Sequence, residues 1–229
     1  MAHKFNPQNA GILDSPDRIR ILNPESILDR LTRDMILVDL GCGTGYFSIP
    51  ASMKVKKVFA LDVQQEMLDS LGDKIKKENI TNIETILSGE SSIPLPDNSA
   101  HVLLMVNVFH ELEDREAILR EGRRILFSGG KLMIIDWKKM QMDFGPPVEE
   151  RLTPDEIISI CKDNGFELKE ESDAGPYNYL LVFEKPGKRI EETEDKHFHG
   201  ERKQYSDIDD LIKKTLEDRK KRRSQQLKH

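Results

Sequence analysis

Long apolar runs and cysteines, two features that restrict where a protein works, are scarce in this sequence. No apolar run approaches the roughly 20 residues that span a bilayer, and residues 1–16 contain no apolar signal segment of about 7 to 15 residues. Cys42 and Cys161 are too few for a disulfide framework and lack the spacing of a metal site. We therefore expect a cytoplasmic protein without a metal centre, in which both cysteines pack as small residues.

Charged residues, in contrast, are plentiful and unevenly distributed. The 229 residues are 33% charged and 37% hydrophobic, with a formal net charge of −6, which is typical of a globular chain. Residues 187–229 contain 13 Lys/Arg and 10 Asp/Glu, so this tail is net positive while the rest of the chain is acidic. The change in charge at residue 186, together with the start of the strand pattern at residue 35, predicts three parts. These are an N-terminal cap segment (1–34), a main domain (35–185) and a charged extension (186–229).

Short β-rich runs alternate with helix-period segments through the main domain. The runs predict seven strands, at residues 35–40, 57–62, 83–87, 101–107, 131–136, 166–171 and 178–184. Such alternation is typical of a mostly parallel sheet with helices on both faces. We therefore predict a Rossmann-like, seven-stranded α/β fold, with a helical cap before it and a helical tail after it.

The spacing of apolar residues predicts the helices between these strands. One helix is predicted within residues 64–80 and another within 114–128, where a glycine pair follows. A third begins at Thr153, an N-cap followed three residues later by Glu156, and ends at Gly165.

The sequence VDLGCGTGYF places three glycines between the first strand and a helical segment. Gly41, Gly43 and Gly45 are spaced GxGxG, a turn that leaves backbone N–H groups pointing into a crevice suited to a nucleotide-like ligand. The third glycine of a dinucleotide motif would fall on Tyr46, and no GK[ST] follows for a phosphate-binding loop. These patterns favour a ligand other than NAD, FAD or a nucleoside triphosphate, while glycines that serve only a tight turn stay an alternative.

The extended stretch VDLGCGTGYFSIPA resembles the first motif of class I S-adenosylmethionine-dependent methyltransferases. The resemblance implies that the glycine turn, with Asp39 and Cys42, binds S-adenosylmethionine (SAM). It also implies that Asp62, which ends the second strand, accepts hydrogen bonds from both ribose hydroxyls, a task that suits an acceptor-only carboxylate. Val63 would then flank the adenine.

A second stretch, SGESSIPLPDNSAHVLLMVNVFHEL, resembles the UbiE-like group of these enzymes. On that match Glu90 and Ser91 lie near the adenine, and Asn107 lies beside the sulfonium and methionine portion of the cofactor. The stretch ILFSGGKLMIIDW resembles the glycine turn and fifth strand of the same group. This sequence departs from the group's pattern at Ala100-His101 and at Ser128.

Residues just past the fourth strand are candidates for proton transfer. His110 lies at the carboxyl edge of the sheet, where open sheets bind ligands, and a histidine with a pKa near 6.5 is suited to accept a proton. A purely hydrogen-bonding His110 is the alternative, and Glu111 equally suits a helix cap. We expect residues 144–147 to form part of the wall of an acceptor pocket, and Trp137 to lie either in that wall or in the core.

Both flanking segments carry helical signals of their own. Asn23 precedes a proline in the cap segment, as an N-cap does. In the extension, apolar residues recur at helical spacing from Ile208 to Leu216, before the basic run Arg219–Arg223. This helix suits docking on its own domain or on a partner protein, and its basic end suits RNA.

The resemblance implies in-line methyl transfer from SAM, with S-adenosylhomocysteine as the product. Alignment and desolvation supply much of the rate of such a transfer, so no covalent intermediate is needed. We expect a small-molecule acceptor, because the main domain lacks the basic stripe of a nucleic-acid-binding surface. Two alternatives stay open: an RNA or protein methyltransferase that uses the basic extension, and a non-catalytic SAM-binding subunit.

Overall fold

The computed structural model describes residues 18–187, together with Lys214 and Glu217. The helix predicted at 208–216 and the basic run after it lie outside the described residues, apart from Lys214, which is helical. No helix among the described residues is long and apolar enough to cross a membrane.

Seven strands form one twisted sheet, as the sequence predicts. They are β1 (Ile36–Leu40), β2 (Lys57–Asp62), β3 (Ile83–Leu87), β4 (Ala100–Val106), β5 (Leu126–Trp137), β6 (Glu167–Asp173) and β7 (Asn178–Glu184). Their order across the sheet is β3-β2-β1-β4-β5-β7-β6, and β7 pairs antiparallel with both of its neighbours. The Rossmann-like, mostly parallel sheet is therefore confirmed.

The chain reverses its direction of travel across the sheet between β1 and β4. From β1 it runs outward to β2 and β3, and then it crosses back to β4 on the other side of β1. In open α/β sheets such a switch point opens a crevice at the carboxyl ends of the strands, where ligands bind. The glycine turn follows β1 at this crevice.

The described part also contains six α-helices and two 3₁₀ turns, and the first two helices precede β1. The helices are α1 (Arg18–Ile21), α2 (Pro24–Leu28), α3 (Ser48–Ser52), α4 (Gln65–Lys77), α5 (Arg115–Ile125) and α6 (Pro154–Asp163). The 3₁₀ turns are Phe109–Glu111 and Val148–Glu150. The capping box predicted at Thr153 and Glu156 is present at the start of α6, and Gly165 follows that helix with a φ of 79°.

The helix predicted to run to residue 128 was wrong at its C-terminal end. Helix α5 ends at Ile125, and β5 begins with the next residue. Leu126 is buried and pairs with Ala100 of β4, and the register then shifts before regular pairing resumes. The Leu126 N–H still donates to the Gly122 carbonyl of α5, and its carbonyl accepts from Lys185 Nζ at 2.6 Å, but its extended backbone directs the chain into the sheet.

Apolar side chains cover both faces of the sheet and form two core clusters. One cluster contains Phe59, Phe109 and Phe183, and the other contains Phe47, Leu71 and residues of the N-terminal segment. Strands β1 and β4 are buried along nearly their whole lengths, as strands with helices on both faces are. Polar groups of these two strands are therefore accessible to a ligand only at the strand ends.

The described part of the N-terminal segment packs on the second of these clusters. Asn23 caps α2 by accepting the Glu25 N–H at 3.0 Å, as predicted. Leu22 and Ile27 are buried, and the Tyr46 hydroxyl of the glycine turn donates to the Leu22 carbonyl at 2.9 Å. This segment therefore contacts the glycine turn directly.

Candidate active site

The three glycines after β1 all adopt left-handed backbone conformations. Their φ angles are 75° at Gly41, 53° at Gly43 and 92° at Gly45, values that residues with a Cβ seldom adopt. A Cβ on Gly41 would lie 2.4 Å from Val108 Cγ2, and one on Gly45 would lie 2.3 Å from Leu71 Cδ1. The turn needs glycine both for its conformation and because neighbouring side chains pack directly against it.

Strand β2 holds this turn in place. The N–H groups of Gly41 and Cys42 both donate to the Leu61 carbonyl, at 2.8 and 2.9 Å, and the Gly43 N–H donates to Asp62 Oδ2 at 2.9 Å. Cys42 is buried, and burial raises the pKa of its thiol well above the ordinary value. A buried, protonated thiol serves packing, in agreement with the sequence prediction.

Asp62 ends β2 with its carboxylate beside the glycine turn. Oδ2 accepts the Gly43 N–H, and Oδ1 accepts the Gln64 N–H at 2.9 Å. Burial raises the pKa of Asp62, and the backbone N–H groups oppose that rise. The Val63 N–H also acts on this carboxylate, and because a carboxylate has about four lone-pair sites, it keeps capacity for a further donor such as a ribose hydroxyl. Val63 follows with 40% of its surface exposed, as a residue that flanks an adenine needs.

Asp39 lies in β1, two residues before the turn, and is buried. The Ser48 hydroxyl of α3 donates to its Oδ2 at 2.5 Å. Burial raises the pKa of Asp39 to about 6; the Ser48 hydrogen bond opposes this rise and the nearby charge of Asp62 adds to it. Asp39 thus connects β1 to α3 behind the turn, and its contact with a cofactor stays a prediction.

The loop after β3 begins beside Asp62. The Ser88 N–H donates to the Asp62 carbonyl at 2.9 Å, and the buried Ser88 Oγ has no hydrogen-bond partner within the described chain. Glu90 and Ser91 are exposed two and three residues later. A buried hydroxyl without a partner, on a residue whose backbone is bonded to that of Asp62, fits a site that receives a polar ligand. The roles of Glu90 and Ser91 at the adenine stay predictions.

Asn107 follows β4 in a left-handed conformation, with a φ of 56°. Its N–H donates to the Ile135 carbonyl at 2.8 Å, and its Oδ1 accepts a hydrogen bond from Asn178 Nδ2 at 2.8 Å. Asn178, at the start of β7, is fully buried, and its Oδ1 has no partner among residues 18–187. This amide pair crosses the carboxyl edge of the sheet from β4 to β7, so Asn107 lies beside an unsatisfied acceptor.

His110 and Asp136 form a buried pair at the same edge. The His110 Nδ1 lies 2.7 Å from Asp136 Oδ1, and the His110 backbone N–H donates to Asp136 Oδ2 at 3.0 Å. Their side chains are only 3% and 1% exposed. Because Nδ1 faces a carboxylate, the neutral ring carries its hydrogen on Nδ1 and keeps a lone pair on Nε2. The pair therefore has the arrangement of a general base with its orienting carboxylate.

The surroundings of His110 raise its pKa above the ordinary value. Burial lowers the pKa, but the hydrogen bond to Asp136 and the charge of that carboxylate outweigh burial. The charges of Glu111 and Glu150 raise it further. Glu111 Oε1 lies 3.7 Å from His110 Nε2. A more basic imidazole is a stronger proton acceptor.

Glu111 does not cap the helix that follows it, so that interpretation was wrong. Asp114 is the N-cap of α5, and its carboxylate accepts the Ala117 N–H at 2.8 Å. Asp114 immediately precedes the helix, whereas Glu111 lies in the 3₁₀ turn before it. Arg115 holds this turn by donating to the carbonyl of His110 at 2.9 Å.

A partly exposed aromatic group lies next to this pair in the chain. Trp137, directly after Asp136, is half-buried, and its ring centroid lies 6.0 Å from that of Phe144 in an edge-on contact. Phe144 meets Tyr177 in the same way at 4.8 Å. Trp137 therefore belongs to a partly exposed aromatic group with Phe144 and Tyr177, and not to the core.

Asp136 and Asn178 were missed at the sequence level. Asp136 had a signal: it is an acidic residue at the carboxyl end of an apolar strand, like Asp62. Asn178 had none, because its role depends on β7 running antiparallel and starting beside the end of β5. Pairing across the sheet, rather than local pattern, places it there.

Comparison with known proteins supports the resemblance in the sequence. The family described as "Methyltransferase domain" matches residues 38–134. A SAM-dependent methyltransferase of known structure from Aquifex aeolicus is 34% identical, with a TM-score of 0.76, and the match covers 80% of this chain and 100% of that one. A putative type 11 methyltransferase from Sulfolobus solfataricus is 25% identical, with a TM-score of 0.60, over 78% of this chain and 98% of the other.

Curated relatives match over a shorter region. The demethylmenaquinone methyltransferase of Listeria welshimeri is 30% identical over 112 residues, which are 48% of each chain. An uncharacterised methyltransferase-like protein of Schizosaccharomyces pombe is 35% identical over 102 residues, 44% of this chain and 37% of that one. The chain thus spans about half the length of the curated relatives, or less.

Proposed function

This chain belongs to the UbiE-like class I SAM-dependent methyltransferases, and from that premise we propose that it methylates a small molecule deprotonated by His110. One observation carries the proposal: the His110–Asp136 pair lies buried at the carboxyl edge of the sheet, beside the glycine turn. Val108, two residues before His110, packs directly on Gly41. Val108 therefore links the glycine turn to the segment that carries the proposed base, which supports placing both beside one ligand.

The residues around the glycine turn suit the cofactor of this family. Asp62 offers an acceptor to the ribose, and Val63 offers an exposed apolar surface to the adenine. When bound, SAM supplies a methyl group on a positively charged sulfur. Asn107 directly follows β4, whose neighbour β1 leads into the glycine turn, and we assign it to the methionine portion of the cofactor.

His110 takes one proton from the acceptor in this proposal. Nε2 of His110 would accept the proton of the acceptor, and the freed electron pair would form the new bond to carbon. SAM, when bound, would supply the methyl group and keep the electrons of its carbon–sulfur bond on sulfur. Asp136 keeps the proton on Nδ1 and stabilises the imidazolium that forms. Burial of the pair keeps water away from the base.

The acceptor that suits this site is a flat ring with an ionisable hydroxyl. The named relatives support this class, because the Listeria protein is described as a demethylmenaquinone methyltransferase. Deprotonating a ring hydroxyl makes both its oxygen and its neighbouring ring carbons nucleophilic, so a base such as His110 is useful for either methylation. The aromatic group of Trp137, Phe144 and Tyr177 offers such a ring apolar surface.

Labelled SAM tests the proposal directly. The purified chain is incubated with isotopically labelled SAM and a panel of hydroxylated aromatic and quinone compounds, and the product that gains the label is identified. We expect label in a small molecule, and about 10²-fold or more slower turnover in His110→Gln with SAM affinity unchanged. Label in RNA or protein, or no transfer to any acceptor in cell extract, would contradict the proposal.

A further inference from the structure

Arg151 is a buried arginine that holds one loop through its backbone. Only 2% of the residue is exposed. Its Nε and Nη2 donate to the Pro146 carbonyl at 2.9 and 2.6 Å, and Nη2 also donates to Phe144 at 3.1 Å. Its Nη1 donates to the carbonyls of Met140 at 2.6 Å and Lys138 at 3.3 Å. One guanidinium thus binds four carbonyls spread over nine residues.

Burying a guanidinium in this way costs free energy, which suggests that the loop conformation it stabilises has a functional role. Removing a guanidinium from water costs several kcal/mol, and burial accordingly lowers the pKa of Arg151. Hydrogen bonds from a charged donor offset part of that cost. A lysine has one nitrogen and lacks the planar fork, so it cannot reach carbonyls at opposite sides of the loop simultaneously.

The loop that Arg151 holds is connected to the proposed base directly at one end, through Asp136. It begins after Asp136, the partner of His110. Near its other end, the charge of Glu150 acts on His110, and the Leu152 carbonyl accepts a hydrogen bond from the Tyr179 hydroxyl at 2.9 Å. A change in the shape of the loop would therefore reach the edge of the active site.

The same loop presents apolar side chains to the outside. Phe144 and Met140 are 38% and 43% exposed, so the loop offers apolar surface on which a ring can bind. Gly145, with a φ of 82°, brings the backbone close to Trp137, where a Cβ would lie 3.5 Å from Trp137 Cδ2 and from Arg151 Nη2 alike. Arg151 therefore supports this surface from behind.

We propose that Arg151 is a positioning residue that fixes residues 138–150 as the apolar wall of the acceptor site. A flat, largely apolar ring binds against Phe144 and Trp137, with its ionisable group directed to His110. The inference rests on the proposed function for the identity of the acceptor. The role of Arg151 in shaping the wall is measurable without any methyl transfer.

Trp137 makes that measurement specific, because it is the single tryptophan of the chain. The variants are Arg151→Lys, which keeps the charge, and Arg151→Met, which keeps the length. The matched controls are Arg120→Lys and Arg120→Met, on an exposed arginine that pairs with Glu116 on α5. Tryptophan emission, its quenching by acrylamide and the affinity for SAM are measured for all four full-length variants.

We expect both Arg151 variants to shift Trp137 emission to the red and to increase its quenching. We also expect SAM affinity within about twofold of the original chain, because the cofactor turn lies on other strands. The Arg120 variants should match the original chain throughout. Unchanged emission and quenching in both Arg151 variants overturns the proposal, and so does loss of SAM binding with global unfolding in both, which would make Arg151 a general stabilising residue.

Binding of a flat aromatic probe tests the shape of this wall without depending on catalysis. Titration with 1,4-naphthoquinone, followed through quenching of Trp137, should be about tenfold weaker in Arg151→Lys than in Arg120→Lys, because small displacements of a binding surface are costly. Equal affinities overturn the assignment of the wall to the acceptor. Absence of methyl transfer by the original chain would refute the proposed function alone, since neither fluorescence measurement depends on turnover.

Discussion

The Asp136 carboxylate binds His110 at two points, its ring and its backbone. Oδ1 lies 2.7 Å from Nδ1, while Oδ2 accepts the His110 N–H at 3.0 Å. The two contacts fix both the position and the tautomer of the ring. Because β4 and β5 are neighbours, the sheet itself brings together a histidine after one strand and an acid that lies near the end of the next.

The first prediction concerns the pH dependence of turnover. A base acts in its neutral form, so kcat/KM should rise with pH through an apparent pKa above the usual 6.5 of histidine, in the direction that Asp136 imposes. Asp136→Asn removes the negative charge that raises the pKa of His110, while burial still lowers that pKa. The inflection of the pH profile should therefore move to lower pH. The measurement is a pH profile of kcat/KM with labelled SAM.

Asp163→Asn is the matched control for that profile, because Asp163 is an exposed acid at the end of α6, outside the loop assigned to the acceptor. Its profile should coincide with that of the original chain. An inflection that stays in place when Asp136 is replaced would show that His110 is not the group that titrates.

The second prediction concerns the affinity for SAM. Asp62→Asn should weaken binding by about 1 to 3 kcal/mol, the usual loss for hydrogen bonds to a charged group. The amide cannot accept at both ends, so either the Gly43 N–H or a ribose hydroxyl loses its acceptor. Calorimetric titration with SAM measures the change, and Asp69→Asn, on the exposed side of α4, should leave the affinity unaltered.

The third prediction compares the effect of alanine at a glycine of the turn with its effect at a glycine within a helix. Gly45→Ala places a Cβ 2.3 Å from Leu71 Cδ1 at a φ of 92°, so we expect loss of stability by about 1 to 3 kcal/mol and weaker SAM binding. Gly72→Ala is the control, since Gly72 lies within α4 with no atom inside 4 Å of the added carbon. That variant should gain about 0.5 to 1 kcal/mol from helix propensity.

Urea unfolding and SAM titration of both alanine variants provide the measurements. If Gly45→Ala unfolds at the same urea concentration as the original chain, the close approach of Leu71 does not limit this position. A destabilised Gly72→Ala would show that α4 is constrained in a way that its open surroundings do not reveal.

The sequence predicted those parts of the fold that depend on local pattern. Strand β2 and the acid at its end follow from an apolar run that stops at Asp62, and the capping box of α6 follows from two residues three apart. The end of α5 did not follow, because Leu126 fits a helix locally and enters the sheet only through pairing with β4. Secondary structure was thus predictable wherever no partner strand competed.

The active site shows the same division. His110 was recognised from its place after a strand, but its partner depends on the order of the strands, in which β4 and β5 are adjacent. Arg151 precedes α6 in an unremarkable polar stretch, and its burial arises only when the loop folds around it. Side chains that bind backbone carbonyls leave no periodicity in a sequence, so that contact was not predictable.

The last prediction uses the buried carboxyl of Asp39 to change the pH dependence of stability. Its pKa is about 6 in the folded protein, against an ordinary value of 3.8, so between these pH values the native state binds a proton that the unfolded chain has released. The free energy of unfolding should therefore fall as pH rises from about 4 to about 6, by about 3 kcal/mol from this group. Asp39→Asn removes the titration and should flatten that part of the profile.

Urea unfolding of the original chain and of Asp39→Asn at several pH values from 4.5 to 7.5, in steps of about one unit, gives the comparison. The asparagine keeps an oxygen that accepts the Ser48 hydroxyl, so the variant should gain stability relative to the original chain as pH rises. Asp73→Asn, whose side chain is 84% exposed, controls for the loss of one negative charge and should run parallel to the original chain. If Asp39→Asn also runs parallel, the Asp39 carboxyl does not titrate in this range, and the isolation from water that raises its pKa is absent.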